Sequence, residues 1–186
     1  IAELNAFDAA RLLSRLGRAQ AADVLEEMDP DDAADVMGEM RPHEAEAILT
    51  EMEDEEAGDV RDLLAYAPES AAGIMTPDFV SVAPYLTADE ALAQLGRVAE
   101  EAETIYYVYV TDPQEGRLLG GLSLRKLVLS PRWKLVSQLM KTDIARIRAG
   151  EDQGTAARLL DKNNYLALPV VDDRERLVGV ITADDA

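Results

Sequence analysis

Residues 105–126 read IYYVYVTDPQEGRLLGGLSLRK, and residues 165–185 read YLALPVVDDRERLVGVITADD. Each begins with a β-rich run, passes through an acidic turn and continues into a second apolar strand holding a glycine. Each then places Ser or Thr three residues before the first turn of a helix. Val108, Val110, Asp112, Leu118, Gly120, Ser123 and Lys126 fall opposite Leu168, Val170, Asp172, Leu177, Gly179, Thr182 and Asp185. Met75-Thr76-Pro77 and Met140-Lys141-Thr142 open the two copies. A repeat of roughly 60 residues cannot bury its faces alone, so two copies must pack together. Gly120-Gly121 reads as strand glycine where another backbone comes close.

The segment before this repeat has a different period. Leu16, Met28, Met40 and Met52 are spaced by 12, as are Leu13, Leu25, Met37 and Leu49. Ala22, Ala34 and Glu46 follow a third phase less faithfully. The units read VLEEMDPDDAAD, VMGEMRPHEAEA and ILTEMEDEEAGD. Pro30 and Pro42 suit the first turn of a helix, where a missing N–H costs nothing. Asp29 is placed to cap the helix that Pro30 opens, and Asp31 and Asp32 favour the same positive end. Each unit is therefore a helix of about two turns plus a tight turn, with paired apolar residues making one sticky face. Such helices are unstable alone and must stack. The methionines are expected in that core. His43, the only histidine, is expected at the surface.

Net charge is −19 over 186 residues, and it is uneven. Residues 1–72 hold 20 acidic and 5 basic side chains, a net of −15; residues 73–186 hold 17 and 13, a net of −4. The acidic half will repel nucleic acid and anionic lipid and attract cations. There is no cysteine, which excludes disulfides and thiolate metal sites. No apolar run reaches the roughly 18–20 residues of a membrane span. There is no Ser/His/Asp arrangement, phosphate loop or histidine cluster, so the chain does not read as an enzyme. Ile1 and Ala186 both read as cut points of a soluble fragment of something longer.

The strand–turn–strand–Gly-x-x-[Ser/Thr]-x-x-Asp pattern over about residues 74–186 resembles a tandem pair of CBS domains. Combined with the acidic helical repeat, the whole chain resembles the cytosolic region of the MgtE family of magnesium transporters. The residues that carry the likeness are DPDDAADVM (29–37), AAGIMTPDFVSV (71–82), AETIYYVYV (102–110), LSLRKL (122–127), LALPVVD (166–172) and LVGVITADD (177–185). The implied fold class is α+β, a superhelix of short α-helices followed by β-α-β-β-α units. The boundaries expected are an N domain at 1–70, shortened at its front, a first CBS domain at 71–133 and a second at 134–186.

The resemblance implies a Mg²⁺ sensor at the cytoplasmic face of the membrane, joined to a transmembrane domain of the same chain. It implies a homodimer formed through the CBS pairs, for which Ile144, Ile147, Leu159, Leu160 and Leu166 would supply apolar surface. Several weak Mg²⁺ sites are implied, holding the domains together and the pore shut. By resemblance, Asp31 and Asp35 are metal ligands of the N domain; four apart, they share a helix face. Asp185 would share ions with them, and Gly73 would offer a backbone carbonyl. Asn164 stands where relatives can have an acid, and Gly154-Thr155 where acids line another site, expected to be missing here. A first-repeat cleft that holds ATP in some relatives would involve Tyr107, Arg125, Lys126 and Tyr165. Lys126 occupies the position of the aspartate that accepts the ribose hydroxyls, and an ammonium cannot accept them. ATP binding is therefore expected to be weak or absent, unless Lys126 meets a phosphate directly. The competing reading is a soluble CBS protein that binds nucleotide or a partner and has no transport domain.

Overall fold

The computed structural model describes residues 4–98 and 106–183, which divide into two units, residues 1–68 and 69–186. Helices α1 (Ala6–Leu13), α2 (Arg18–Glu26), α3 (Pro30–Gly38), α4 (Pro42–Leu49) and α5 (Asp54–Leu64) build the first. From α2 onward the helix starts follow the 12-residue period, at positions 18, 30, 42 and 54. Each is preceded by one extended residue: Gly17, Asp29, Arg41 or Glu53. None of these four caps by a side-chain hydrogen bond. Asp29 thus holds the cap position but contributes charge rather than a bond, which corrects the capping expectation. Glu53 N–H is instead met by the Glu26 carboxylate, 2.7 Å away, tying α5 to α2.

The odd helices stack on one another (α1 on α3, α3 on α5), and α2 packs on α4. The core of this superhelix is the Leu13, Leu25, Met37, Leu49 phase, all buried. Burying each such side chain stabilises the fold by about 1.5–3 kcal/mol. Met40 and Met52 are also buried, Met28 is half-buried, and Leu16 is 46% exposed. The second phase is therefore core only in its later members. Leu16 falls in the turn between α1 and α2, beyond the reach of the stack. His43 is exposed, as expected.

The second unit contains the two copies of the strand repeat. In the first, β1 (Ser81–Val82) runs parallel to β2 (Tyr107–Thr111), which pairs antiparallel with β3 (Leu118–Ser123). In the second, β4 (Ile147–Arg148) is parallel to β5 (Ala167–Val171), which pairs antiparallel with β6 (Leu177–Thr182). Val110 faces Gly120, and Val170 faces Gly179; each ladder slips by one residue just after that pair. The internal repeat thus extends to the position of the bulge. Helices α6 (Ala88–Val98) and α9 (Gln153–Asn163) occupy equivalent places between the first and second strands. Thr87 and Glu90 start α6 as a reciprocal capping box: Glu90 Oε2 accepts from Thr87 N (2.8 Å), and Thr87 Oγ1 accepts from Glu90 N (3.3 Å). Short α7 (Leu124–Val128) begins at Ser123, whose hydroxyl accepts from Lys126 N, and α8 (Val136–Leu139) follows.

The acidic turns differ by one residue. Gly116 has φ +69°, and its counterpart Glu175 has φ +62°. The second turn therefore holds a non-glycine residue in the left-handed region. Asp172 supports it by accepting from the N–H groups of Arg174 (2.8 Å) and Arg176 (2.9 Å) and from Arg176 Nε (2.7 Å). Desolvation raises the affinity of this carboxyl for its proton, but those donors outweigh it and hold Asp172 below the usual range.

The opening segments do not pair with their own repeats. Thr76 exchanges two backbone hydrogen bonds with Val180 of β6 (2.9 and 3.0 Å), and Lys141 exchanges two with Gly121 of β3 (2.8 and 3.0 Å). The two turns also bond each other, Leu118 N–H to Glu175 O and Leu177 N–H to Gly116 O. A Cβ on Gly120 would overlap the Lys141 carbonyl oxygen, and one on Gly179 would lie 2.8 Å from Thr76 O. The close backbone approach expected at Gly120 is present, and Gly179 repeats it.

Candidate functional sites

Asp31 lies in the first turn of α3, half-buried, and Asp35 lies one turn later, exposed. Helix α3 packs on α5, whose first turn carries Asp54, Glu55 and Glu56. Crowding on α5 bears on Asp59. Burial first, then the charges of Glu55, Asp62 and Glu56, push its carboxyl above the usual range. Glu56 adds a buried Oε2 without a hydrogen-bond partner. These α5 carboxylates were not singled out from sequence. Their i, i+3 and i, i+4 spacing was the available signal.

Gly73 and Asn164 belong to the second unit. Gly73 sits in a 3-10 turn (Ala71–Ile74), its N–H donating to Ser70 O and Oγ. Asn164 ends α9 with φ +51°, a left-handed position that asparagine tolerates better than most residues. That conformational demand accounts for an amide at this position. Asp185 lies outside the described residues. Among the described residues, no group of three or more His, Cys, Asp or Glu side chains is placed to hold a metal ion.

A cleft of about 320 Å³ opens between the two repeats of the second unit. Tyr107, Lys126 and Tyr165 line it together, whereas Arg125, exposed on α7, is not among its lining residues. Tyr109, Lys141 and Asp143 also line it and were not anticipated. Tyr109 could have been found from strand alternation, since i and i+2 share a face with Tyr107. Its hydroxyl is buried without a partner, and burial, with Tyr107 nearby, pushes its pKa far up. Lys141 arrives through the crossed pairing with Gly121, which nothing in the local sequence signals. Neither Lys126 nor Lys141 has a carboxylate within ion-pair distance among the described residues.

The apolar residues expected at a dimer surface are mostly interior. Ile147 and Leu160 are 1% and 4% exposed, Ile144 packs beside Tyr109 and Val180, and Leu159 is half-buried. Leu166 alone of the five is exposed. The sheets of this unit take up the surface that appeared surplus in the sequence.

The MgtE intracellular N domain model matches residues 1–69, and the CBS domain model matches residues 136–186. The crystal structure of the soluble part of a magnesium transporter aligns with 96% of this chain and 69% of its own, at 35% identity and TM-score 0.90. The chain belongs to the MgtE family. The cytosolic domain of the Mg²⁺ channel MgtE in complex with ATP gives 36% identity and TM-score 0.85, over 98% of this chain and 79% of that one. Magnesium transporter MgtE of Thermus thermophilus is 42% identical over 127 residues, and that of Enterococcus faecalis 39% over 129. These alignments cover 68% and 69% of this chain but 28% of each relative. The MgtE family arrangement of a helical N-terminal part followed by a CBS pair is the architecture seen here. The CBS model matches the second repeat, and the strand register extends the assignment to the first.

Proposed function

We propose that this region senses Mg²⁺ for an MgtE-type magnesium transporter, with bound ions bridging the acidic N domain and the CBS domains and so closing the pore. The observation that carries this reading is the crowding of like charge where α3, with Asp31 and Asp32 in its first turn, packs on α5, with Asp54, Glu55 and Glu56 in its own. A cation would relieve that repulsion. Mg²⁺ needs only one or two carboxylates and keeps several waters, so the Asp31/Asp35 face fits it without a dense cage. Asp31, Asp35 and Asp185 supply charge, Gly73 a carbonyl and Asn164 an uncharged amide oxygen. Acidic surfaces that repel without the ion and bridge with it form a two-state element set by Mg²⁺. The assembly is a homodimer through the CBS pairs, joined to a transmembrane domain.

Titration of melting temperature and protease protection with MgCl₂, against NaCl at equal ionic strength, tests this. Ligand that binds only the closed form stabilises it by mass action. Asp31→Asn and Asp185→Asn should each weaken the Mg²⁺-dependent part, and the double variant should lose little more than either single, since neighbours in one site are non-additive. If NaCl reproduces the whole effect, or the losses are additive and independent of Mg²⁺, there is no shared site.

A second reading is favoured by the tyrosine- and lysine-lined cleft: nucleotide regulation, with Lys126 or Lys141 meeting a phosphate. Calorimetric titration with ATP separates it from Mg²⁺ sensing alone.

A further inference from the structure

The cleft between the two repeats holds opposite charges that do not meet. Lys126 comes from α7 of the first repeat, and Lys141 and Asp143 come from the start of the second. All three side chains are exposed, and all three line the same space of about 320 Å³. Opposite charges that share a cleft gain by drawing together. Among the described residues, however, no ion pair joins Asp143 to either lysine or to any other cation. The backbone fixes part of this arrangement. Lys141 exchanges two hydrogen bonds with Gly121 of β3, at 2.8 and 3.0 Å, and so anchors the segment that carries Asp143. Tyr107 of β2 and Tyr165, just before β5, add one half-buried ring from each repeat. The lining therefore offers ring surface, a cationic place and a separate anionic place. A ligand that fills it combines a flat ring, an anionic tail and an edge of N–H donors.

We propose that Asp143 makes this cleft selective for guanine nucleotides, its carboxylate accepting from the base while Lys126 and Lys141 meet the phosphates. The tyrosines and lysines suit any nucleotide, since every base has a face to stack and every phosphate attracts an ammonium. The carboxylate chooses among the bases. When ionised it only accepts hydrogen bonds. Guanine presents two adjacent donors, N1–H and the 2-amino group, which one carboxylate takes together. Adenine and cytosine each set an amino group beside a ring nitrogen that only accepts, and that lone pair would face the negative charge. Uracil offers a single N–H between two carbonyls. Two charge-assisted bonds to one edge also fix the base in the plane of the carboxylate. Bidentate recognition of this kind discriminates by roughly 5- to 150-fold. The inference rests on the nucleotide reading of the cleft and changes the base, since the MgtE cytosolic domain compared above is a complex with ATP.

The test is calorimetric titration of the full chain with GDP, IDP and ADP in divalent-free buffer, so that chelated Mg²⁺ contributes nothing. GDP should bind at least about tenfold more tightly than ADP. IDP, which keeps N1–H and lacks the 2-amino group, should fall between them. Asp143→Asn should weaken GDP at least about tenfold and leave ADP within about threefold, because an amide can meet the adenine edge as well. Lys141→Gln should weaken GDP and ADP alike and leave their ratio unchanged. Both side chains are exposed, so the melting curves of the two variants should match the parent. GDP binding no more tightly than ADP, or a preference for GDP that survives Asp143→Asn, overturns the guanine assignment while the cleft remains a nucleotide site. No binding by any of the three overturns the assignment together with the nucleotide reading it rests on.

Discussion

Gly120→Ala is the substitution whose cost can be worked most directly from the geometry. The new methyl would overlap Lys141 O and lie 3.0 Å from Lys141 C and 3.3 Å from Thr142 Cα, all of them backbone atoms. No side chain can rotate away, so the opening segment of the second repeat must separate from β3. That separation threatens the two hydrogen bonds between Lys141 and Gly121, at 2.8 and 3.0 Å. Two bonds at about 1 kcal/mol net each, plus overpacking of about 1–3 kcal/mol, give a loss of about 3–5 kcal/mol. For a unit of this size that lowers the melting temperature by roughly 10–20 °C. The adjacent Gly121→Ala is the control, because its methyl would meet Ile144 Cδ1 at 3.4 Å and Val108 O at 3.5 Å, nearly ordinary contact. Thermal melts followed by circular dichroism measure both variants, and hydrogen exchange at the Lys141 amide reports whether the segment has lifted. A Gly120→Ala protein melting within about 2 °C of the parent, with Lys141 still protected, would refute the reasoning, since the expected loss is several times larger.

Gly58→Ala in α5 has nothing within 4 Å of the new methyl and should stabilise the first unit by about 0.5–1 kcal/mol, read in denaturant melts. Tyr109→Phe removes a buried hydroxyl that has no partner, and should raise stability by about 1 kcal/mol in the ligand-free protein. Asp59→Asn should stabilise at neutral pH by a few tenths of a kcal/mol after solvent screening. Asp59 is raised in the fold, so it holds its proton more tightly there than in the unfolded chain, and its contribution worsens as pH rises between the unfolded and folded values. The advantage of the asparagine should therefore vanish below the ordinary aspartate pKa, and melting temperatures across an acid series check it.

Periodicity carried most of the fold. The 12-residue spacing from Leu13 to Leu49 reports one face of a stack, and strand alternation with paired glycines reports the register of two equivalent hairpins. Local patterns fail where a residue's surroundings come from elsewhere in the chain. Ile144, Ile147 and Leu160 read as spare apolar surface because the elements that cover them are distant in sequence. Leu16 shares the period of Met40 and Met52 but falls in an outer turn. Asn164 reads as a weakened ligand from sequence, and the structure adds the left-handed cap it also provides. Of the cleft, Tyr107, Lys126 and Tyr165 were legible by position, while Lys141 depends on a crossing that sequence order conceals. Charge asymmetry pointed to cations early; which α5 carboxylates crowd one another required their burial.

The crossed opening segments bear on how the chain is made. During synthesis the first repeat is complete well before the second, yet Thr76 must wait for Val180, near the end of the described chain, to be paired. Until Lys141 is made the groove over Gly120 is open, and until Val180 is made the Met75-Thr76 segment has no edge to join. Domains generally fold as units while the nascent chain emerges, and long-range pairing is slow. A half-made CBS pair therefore exposes a strand edge and a matching groove on the same molecule. Two such nascent chains could each complete the other, exchanging opening segments between copies as readily as within one. The linkage that holds the repeats together in the finished protein is, for the interval before Lys141 is made, an opportunity for domain swapping on a crowded ribosome.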